Sequence, residues 1–235
     1  MELKDNMNRM ITTMAVMLIV SCMTAQKTQM SVNVKEPGTL ADCIGEKNIL
    51  SVERLTINGQ LNTADVTLLR LMAGRDMEGK EVDGGKLSYL NLQKATFVAD
   101  TVCFVQNQEY KANLGEGGAD LPDQIFWGCR LKELVLPEGI QRIGKYALSH
   151  TKLTSIVLPE SVTLERCAFY ECKELTHVTF PKNLNVVDVY TFQFFTTIER
   201  CITHLLEYFG ECNVSQFLTL IKGATFKCNA FRETN

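Results

Sequence analysis

Five short segments of this chain repeat the pattern apolar-x-x-apolar-x-apolar, where x is any residue. In an extended strand, side chains two positions apart point to the same face. The last two apolar residues of each segment therefore share one face, and the residue between them points the opposite way. The pattern predicts five short strands, each with one buried face. The segments are 52–57 (VERLTI), 87–92 (LSYLNL), 131–136 (LKELVL), 153–158 (LTSIVL) and 175–180 (LTHVTF).

The last three segments are evenly spaced along the chain. They begin at Leu131, Leu153 and Leu175, so each start lies 22 residues after the one before it. One such strand cannot bury its apolar face alone, and regularly spaced copies solve this by stacking side by side over a shared core. A period of about 20–29 residues with this pattern is typical of leucine-rich repeats. The spacing predicts an α/β fold in which short parallel strands stack with a 22-residue period into a leucine-rich-repeat solenoid.

The segments that connect the strands repeat as well. A proline follows each of the last three strands and is expected to end it, because proline has no N–H to donate to a neighbouring strand. An aromatic-x-x-cysteine element precedes two strands, at 126–129 and 169–172; His150 or Thr151 takes the cysteine's place in the copy between them, and Phe195 takes it in the next. A position that accepts both cysteine and phenylalanine indicates packing, so both cysteines are expected in the core. The prolines are Pro137, Pro159 and Pro181.

Two stretches of the repeats, AFYECKELTHVTFPKNL and GIQRIGKYALSHTKLTSIVLPESV, resemble the units of BspA-like bacterial surface leucine-rich-repeat proteins. Segments 38–45, 55–74 and 85–95 resemble the amino-terminal part of the same exported proteins, and the likeness covers about 38–198. The resemblance implies recognition of proteins or other surface ligands, with no cofactor and no catalysis. Because the matched residues are core residues, the resemblance indicates the fold but does not name a ligand.

These patterns divide the chain into four parts. We interpret residues 1–25 as a signal peptide, 26–120 as an irregular amino-terminal capping region with short helices, 121–197 as the leucine-rich repeats, and 198–235 as a helical or irregular carboxyl-terminal tail. Solenoids need a capping element at the open end of the stack, and whether the tail over 198–235 is such a cap is left open.

Within the capping region the sequence predicts two helices. Thr39 and Thr63 are the candidate N-caps, because a hydroxyl at that position accepts a hydrogen bond from the first turn. The helices are expected over 38–45 and 63–72. The remaining local predictions are a further strand over 97–104 and a loop over 114–122.

The first residues have the layout of a secretory signal. The apolar run over 11–20 is ten residues long, too short to span a bilayer as a helix. A start at Met7 instead of Met1 would give a more basic beginning. Two routes are left open: lipidation of Cys22, giving an outer-membrane lipoprotein, or cleavage after Ala25. Either route predicts an extracellular or cell-surface protein, with membrane contact only through a lipid anchor.

Export bears on the cysteines, because thiols pair outside the cytosol. The chain has nine cysteines, and a Cys167–Cys172 disulfide is left open. Cys201, His204 and Cys212 form the nearest approach to a metal site, but a fourth ligand is missing and core packing is favoured.

Charge and motif content argue against several function classes. The net charge of −3, with 22% charged residues, gives neither a nucleic-acid footprint nor a polybasic membrane patch. The three histidines, His150, His177 and His204, lie outside any nucleophile motif. The sequence therefore predicts no catalytic, cofactor-binding or metal-binding residue.

The outward side chains of the five strands remain as the candidate ligand-binding strand face, because rigid stacking presents many side chains at a fixed pitch. We expect an exported binding or adhesion module for a protein or other surface ligand. The alternatives are an envelope enzyme that uses the solenoid as a scaffold, and a degenerate family member without an active partner. The ligand and the oligomeric state are left open. The face comprises Arg54, Tyr89, Asn91, Glu133, Val135, Ser155, Val157, His177 and Thr179.

Overall fold

A computed structural model describes residues 28–106 and 111–180 of the chain. The expected signal peptide, Cys22, Phe195 and the tail from 198 onward lie outside these residues. In chain order the elements are β1 (Gln29–Val34), α1 (Leu40–Ile44), a 3₁₀ turn (Glu46–Asn48), β2 (Arg54–Leu61), α2 (Thr63–Met72), β3 (Tyr89–Phe97), β4 (Asp100–Gln106), β5 (Lys111–Gly115), β6 (Glu133–Val135), β7 (Arg142–Ile143), β8 (Ser155–Val157), β9 (Thr163–Leu164) and β10 (His177–Thr179).

Within residues 28–106 and 111–180, one six-stranded sheet organises the structure, with the strand order β1-β2-β3-β6-β8-β10 and every pair parallel. All five predicted strands lie in this sheet, so the apolar pattern located them correctly. The sixth strand, β1, was not predicted. It alternates buried Val32 and Val34 with more exposed residues, a two-residue period that differs from the repeat pattern.

The apolar residues that define the pattern face one continuous core. Leu55 and Ile57 of β2 and Leu90 and Leu92 of β3 are fully buried. Burying one such side chain is worth about 1.5–3 kcal/mol. Each strand depends on its neighbours in the sheet to cover these side chains, because a single strand cannot enclose them.

The segments that connect the repeats form a second hydrogen-bonded ladder. The Phe126 N–H donates to the Ala147 carbonyl (2.9 Å), and the Leu148 N–H donates to the Ala168 carbonyl (2.9 Å). Strands β7 and β9 pair in parallel beside it. Each turn bends through two residues in the left-handed region, where a side chain costs roughly 1–2 kcal/mol, so the ladder must hold the turns in place. These residues are Gln124, Gly128, Tyr146, His150, Cys167 and Glu171.

The two helices of the amino-terminal region share one capping carboxylate. Buried Asp65 accepts hydrogen bonds from the backbone N–H groups of Leu40 (3.0 Å) and Gly38 (2.6 Å) at the start of α1. It also accepts from the N–H of Asn62 (3.0 Å) at the start of α2, and the Asn62 side chain accepts from the Asp65 N–H (3.2 Å), which completes a capping box. One side chain therefore fixes the beginning of both helices.

The predicted N-cap is wrong for α2, and in α1 the predicted residue, Thr39, holds the N-cap position without capping through its side chain. Helix α2 begins at Thr63, but its cap is Asn62, whose amide oxygen reaches the free N–H groups of the first turn. The Thr63 hydroxyl donates instead to the Val102 carbonyl (3.1 Å). Thr39 precedes α1, yet its hydroxyl donates to the Glu36 carbonyl (2.8 Å), and the shared carboxylate accepts from the helix.

The predictions for 97–104 and 114–122 also need correction. Strand β3 ends at Phe97, and a separate strand, β4, begins at Asp100 and pairs antiparallel with β5. The Asp100 carboxylate accepts a hydrogen bond from the Val102 N–H (2.8 Å) at the point where the new strand starts. Strand β5 takes the first residues of the predicted loop, because it pairs with β4 as a hairpin.

Arg70 is the largest side chain that is fully buried in the part of the chain that the structure describes. It shares the inward face of α2 with Val66 and Leu69, because residues three and four apart are neighbours on a helix. Its guanidinium donates to the backbone carbonyls of Gln124 (3.1 Å) and Ile125 (2.9 Å) in the first repeat turn. Burial lowers the pKa of Arg70. This contact joins the amino-terminal region to the repeats.

We expect Asp65→Ala to lower the free energy of unfolding by about 3 kcal/mol, because three backbone N–H groups lose a charged acceptor. Urea unfolding followed by circular dichroism measures the change. Asp42→Ala is the matched control: this exposed acid of α1 should change the free energy by no more than about 0.5 kcal/mol. Equal effects of the two substitutions would contradict the shared-cap interpretation.

We expect Arg70→Ala to destabilise the protein by at least about 3 kcal/mol, because it opens a cavity and leaves the buried Ile125 carbonyl without its donor. Hydrogen exchange should show the largest loss of protection at the amides of 124–128. The control is Lys94→Ala, which removes an exposed cation from β3. If the two variants are equally stable, Arg70 does not join the two regions.

Candidate ligand-binding strand face

Five of the predicted site residues form a first row across the six-stranded sheet. The register places Arg54 beside Tyr89, Tyr89 beside Glu133, Glu133 beside Ser155, and Ser155 beside His177. All five are at least partly exposed. Because neighbouring strands lie about 4.8 Å apart, the row runs for roughly 19 Å.

The other four predicted residues form a second row, two positions further along each strand. Asn91 lies beside Val135, and Val157 lies beside Thr179. Val157 is 67% exposed although it is apolar. The structure thus brings all nine predicted residues onto one face of the sheet, while their role in ligand binding stays a prediction.

One end of the first row is already paired within the protein. The Arg54 guanidinium carbon lies 3.7 Å from the centroid of the Tyr89 ring, and an Arg54 nitrogen lies 3.5 Å from a Glu133 carboxylate oxygen. Arg54 therefore crosses the aromatic ring to reach an acid two strands away. The two side chains of the ion pair are 42% and 51% exposed, so the pair is worth no more than about 1 kcal/mol. The Tyr89 ring is covered by Arg54, which the sequence did not indicate.

A groove of about 500 Å³ lies over β3, β6 and β8, and its lining includes Tyr89 of the paired end together with Val135 and Val157. It extends beyond the two predicted rows to a third row, formed by Gln93, Pro137 and Pro159. Each of these residues lies two positions after a member of the second row, so the strand periodicity could have found them. The prediction stopped where each proline ends its strand and so missed the wall that the prolines form.

Glu138 is a further residue of the groove that the sequence did not single out. Its backbone N–H donates to the Gln93 carbonyl (2.9 Å), and the Gln93 side-chain amide donates to its carboxylate (3.0 Å). These two bonds hold the carboxylate at the rim. The groove therefore combines an apolar floor with positioned acidic groups.

Comparison with known families agrees with this architecture. Residues 99–212 match, in six copies, the family model described as the BspA type leucine rich repeat region. The chain carries a BspA-type leucine-rich-repeat region. No curated protein matches the chain. The family match and the parallel sheet together establish an α/β repeat fold.

The turns of the BspA-type repeats carry a second cluster of side chains. The His150 ring meets Trp127 and Tyr170 edge-on, with ring centroids 5.9 Å and 5.5 Å away. Its Nδ1 lies 3.5 Å from a Glu171 carboxylate oxygen. Burial lowers the pKa of His150, and this effect exceeds the opposing effect of Glu171. His150 therefore packs among rings on the surface and is not the core residue of its repeat.

Thr151 is the core residue at that position, which settles the alternative that the sequence left open. Its hydroxyl donates to the Leu148 carbonyl (2.8 Å) and lies 3.2 Å from the Cys172 sulfur, which donates to the same carbonyl (3.0 Å). Cys129 and Cys172 are fully buried, which confirms their packing role. Cys167 and Cys172 are both free thiols, so the disulfide between them is not formed.

Residues 28–106 and 111–180 contain neither a clustered metal site nor a membrane-spanning helix. Within these ranges no group of three or more His, Cys, Asp or Glu side chains could hold a metal ion, and no helix is long and apolar enough to cross a membrane. The group of Cys201, His204 and Cys212 lies outside the described residues. At the far end of the strand face, His177 is exposed and its Nδ1 lies 2.8 Å from the Thr176 hydroxyl.

Burial raises the pKa of the Cys172 thiol from 9.0 to about 11. Because the pKa is higher in the folded state, the Cys172 thiol ionises more readily in the unfolded chain as the pH rises above 9. The free energy of unfolding is therefore fully retained below pH 9 and falls as the pH rises to about 11. We expect this thiol to account for a loss on the order of 2 kcal/mol by pH 11.

Urea unfolding across this alkaline range should therefore show a smaller loss of stability in Cys172→Ala than in the unchanged protein. Cys103→Ala, at a half-buried site in β4, serves as the control and should retain the full alkaline loss. If both variants lose stability as steeply as the unchanged protein, the Cys172 thiol does not contribute to it.

Proposed function

We propose that this BspA-type repeat protein is a non-catalytic binding or adhesion module that engages a protein or other surface ligand through its strand face. One observation carries the proposal: nine outward side chains and a third row of residues share one face of a sheet whose opposite side chains form the core. Repeat regions of this family are typical protein-interaction modules.

The mechanism of recognition follows from how the face is built. Backbone pairing in the sheet fixes where each outward side chain begins, and core packing fixes the strands themselves. A partner therefore meets a surface that is already ordered, so binding has little ordering cost to offset. Ser155 and Val157 lie on β8, line the groove and are both exposed, which makes them suitable positions at which to block the face.

The wider setting is part of the same proposal. The protein is exported to the cell surface or secreted, with 1–25 as its signal and with lipidation at Cys22 or cleavage after Ala25. The capping region 26–120 and the repeats over 121–197 build a solenoid with a 22-residue period, which the helical or irregular tail over 198–235 closes. Mass spectrometry of the mature amino terminus distinguishes a lipidated cysteine from a free one.

We expect a Ser155→Arg and Val157→Arg double variant of the full chain to lose binding by at least about tenfold, because two long cations obstruct the groove that these residues line. The measurement is retention on immobilised matrix proteins and on intact cells. The control is a Thr101→Arg and Gln141→Arg double variant, which adds the same charge at exposed sites away from the six-stranded sheet. Circular dichroism verifies that both variants are folded.

The comparison of the two double variants decides the proposal. Retention of one surface by the unchanged chain and by the control, with loss in the strand-face variant, supports it. Equal retention of that surface by both double variants would place binding elsewhere on the molecule.

A further inference from the structure

The groove on the strand face differs in charge from the rest of the face. Glu133 and Glu138 both line it, and among residues 28–106 and 111–180 no lysine or arginine does so. Its remaining surface is largely apolar, with Val135, Val157 and Pro159 exposed to the groove. An acidic site with an apolar floor favours a ligand that is both cationic and apolar.

Arg54 shows that the edge of this groove accommodates a guanidinium. It enters from β2, outside the groove, and lies 3.7 Å over the Tyr89 ring centroid. The same guanidinium reaches Glu133 at 3.5 Å. An aromatic face beside a carboxylate attracts a planar cation through both the ring quadrupole and the opposite charge. Arg54 thus pairs with Glu133, one of the two acids that line the groove. The other acid, Glu138, faces the groove and has no arginine partner among the described residues.

We propose that the groove binds an extended segment of a partner protein that presents one arginine or lysine between small aliphatic side chains. This inference rests on the proposed function and specifies the partner's chemistry. The basic side chain pairs with Glu138 and competes with Arg54 for Glu133. The aliphatic side chains cover Val135, Val157 and Pro159. In an extended segment, side chains on one face recur about every 6.8 Å, so the basic side chain and its two aliphatic neighbours span about 14 Å.

The probe is an acetylated and amidated heptapeptide, SVSRSVS, whose valines and arginine share one face when the peptide is extended. SVSESVS reverses the charge, and SVSQSVS removes it. Each is titrated into the nitrogen-15-labelled full chain, and amide shifts at Val135 and Val157 are followed by NMR. We expect the arginine peptide to bind at least about fivefold more tightly than either of the others and to weaken several-fold when ionic strength rises from 0.05 to 0.5 M.

Three variants test the assigned residues. Glu138→Gln should weaken binding of SVSRSVS by at least about threefold, because it removes one charge and keeps the shape. Glu116→Gln is the matched control at an exposed acid outside the groove and should leave binding unchanged. Arg54→Ala should strengthen binding by about two- to fivefold, because the internal competitor for Glu133 is gone. A merely structural role for Arg54 would not raise the affinity.

The outcomes separate this inference from the proposed function. If all three peptides shift the groove amides equally, the charge preference is wrong and the face still binds. If no peptide shifts them while a surface is retained by the unchanged chain and lost by the Ser155→Arg and Val157→Arg variant, the inference fails and the proposed function stands. If that double variant also retains every surface, both fail.

Discussion

The structure depends on the sharing of apolar surface between neighbouring strands. Strands β6, β8 and β10 have three residues each, so none can cover its own inward side chains. Stacking in register solves this and at the same time pairs the backbone of each strand with the next. The turns obey the same constraint, since the left-handed residues of the first two turns donate backbone hydrogen bonds to the following repeat. A single repeat therefore does not fold without a neighbouring repeat to pack against.

The amino-terminal region is attached to this stack through polar groups that are buried. Asp65 organises the starts of two helices, and Arg70 carries the second helix onto the first repeat turn. Neither contact is a salt bridge between side chains, because both charged groups bond to the backbone. Backbone groups are the same whatever the sequence. Each of these two contacts therefore requires a specific residue at one position only, a charged side chain of the right length.

The strands were predictable because their apolar spacing is regular, and the nine face residues followed from the same spacing. Other features were not. Asn62 and Thr63 are both capping residues by type, and only the contact to Val102 shows which one is engaged elsewhere. From the sequence alone Arg70 would be taken for a surface residue, because the carbonyls that allow its burial lie 54 and 55 residues away along the chain. The pairing of Arg54 with Tyr89 and Glu133 joins three distant segments, and no local pattern records it.

The alignment of outward rows has a consequence for how such a chain changes over time. Glu133, Ser155 and His177 occupy equivalent places in successive strands, and each meets its neighbours through nearly the same backbone contacts. Loss or duplication of one whole unit would rejoin two compatible edges, shortening or lengthening the face by one strand. Recombination between units can thus rearrange what the surface presents without inventing a new core, so the outward face can diversify faster than the architecture.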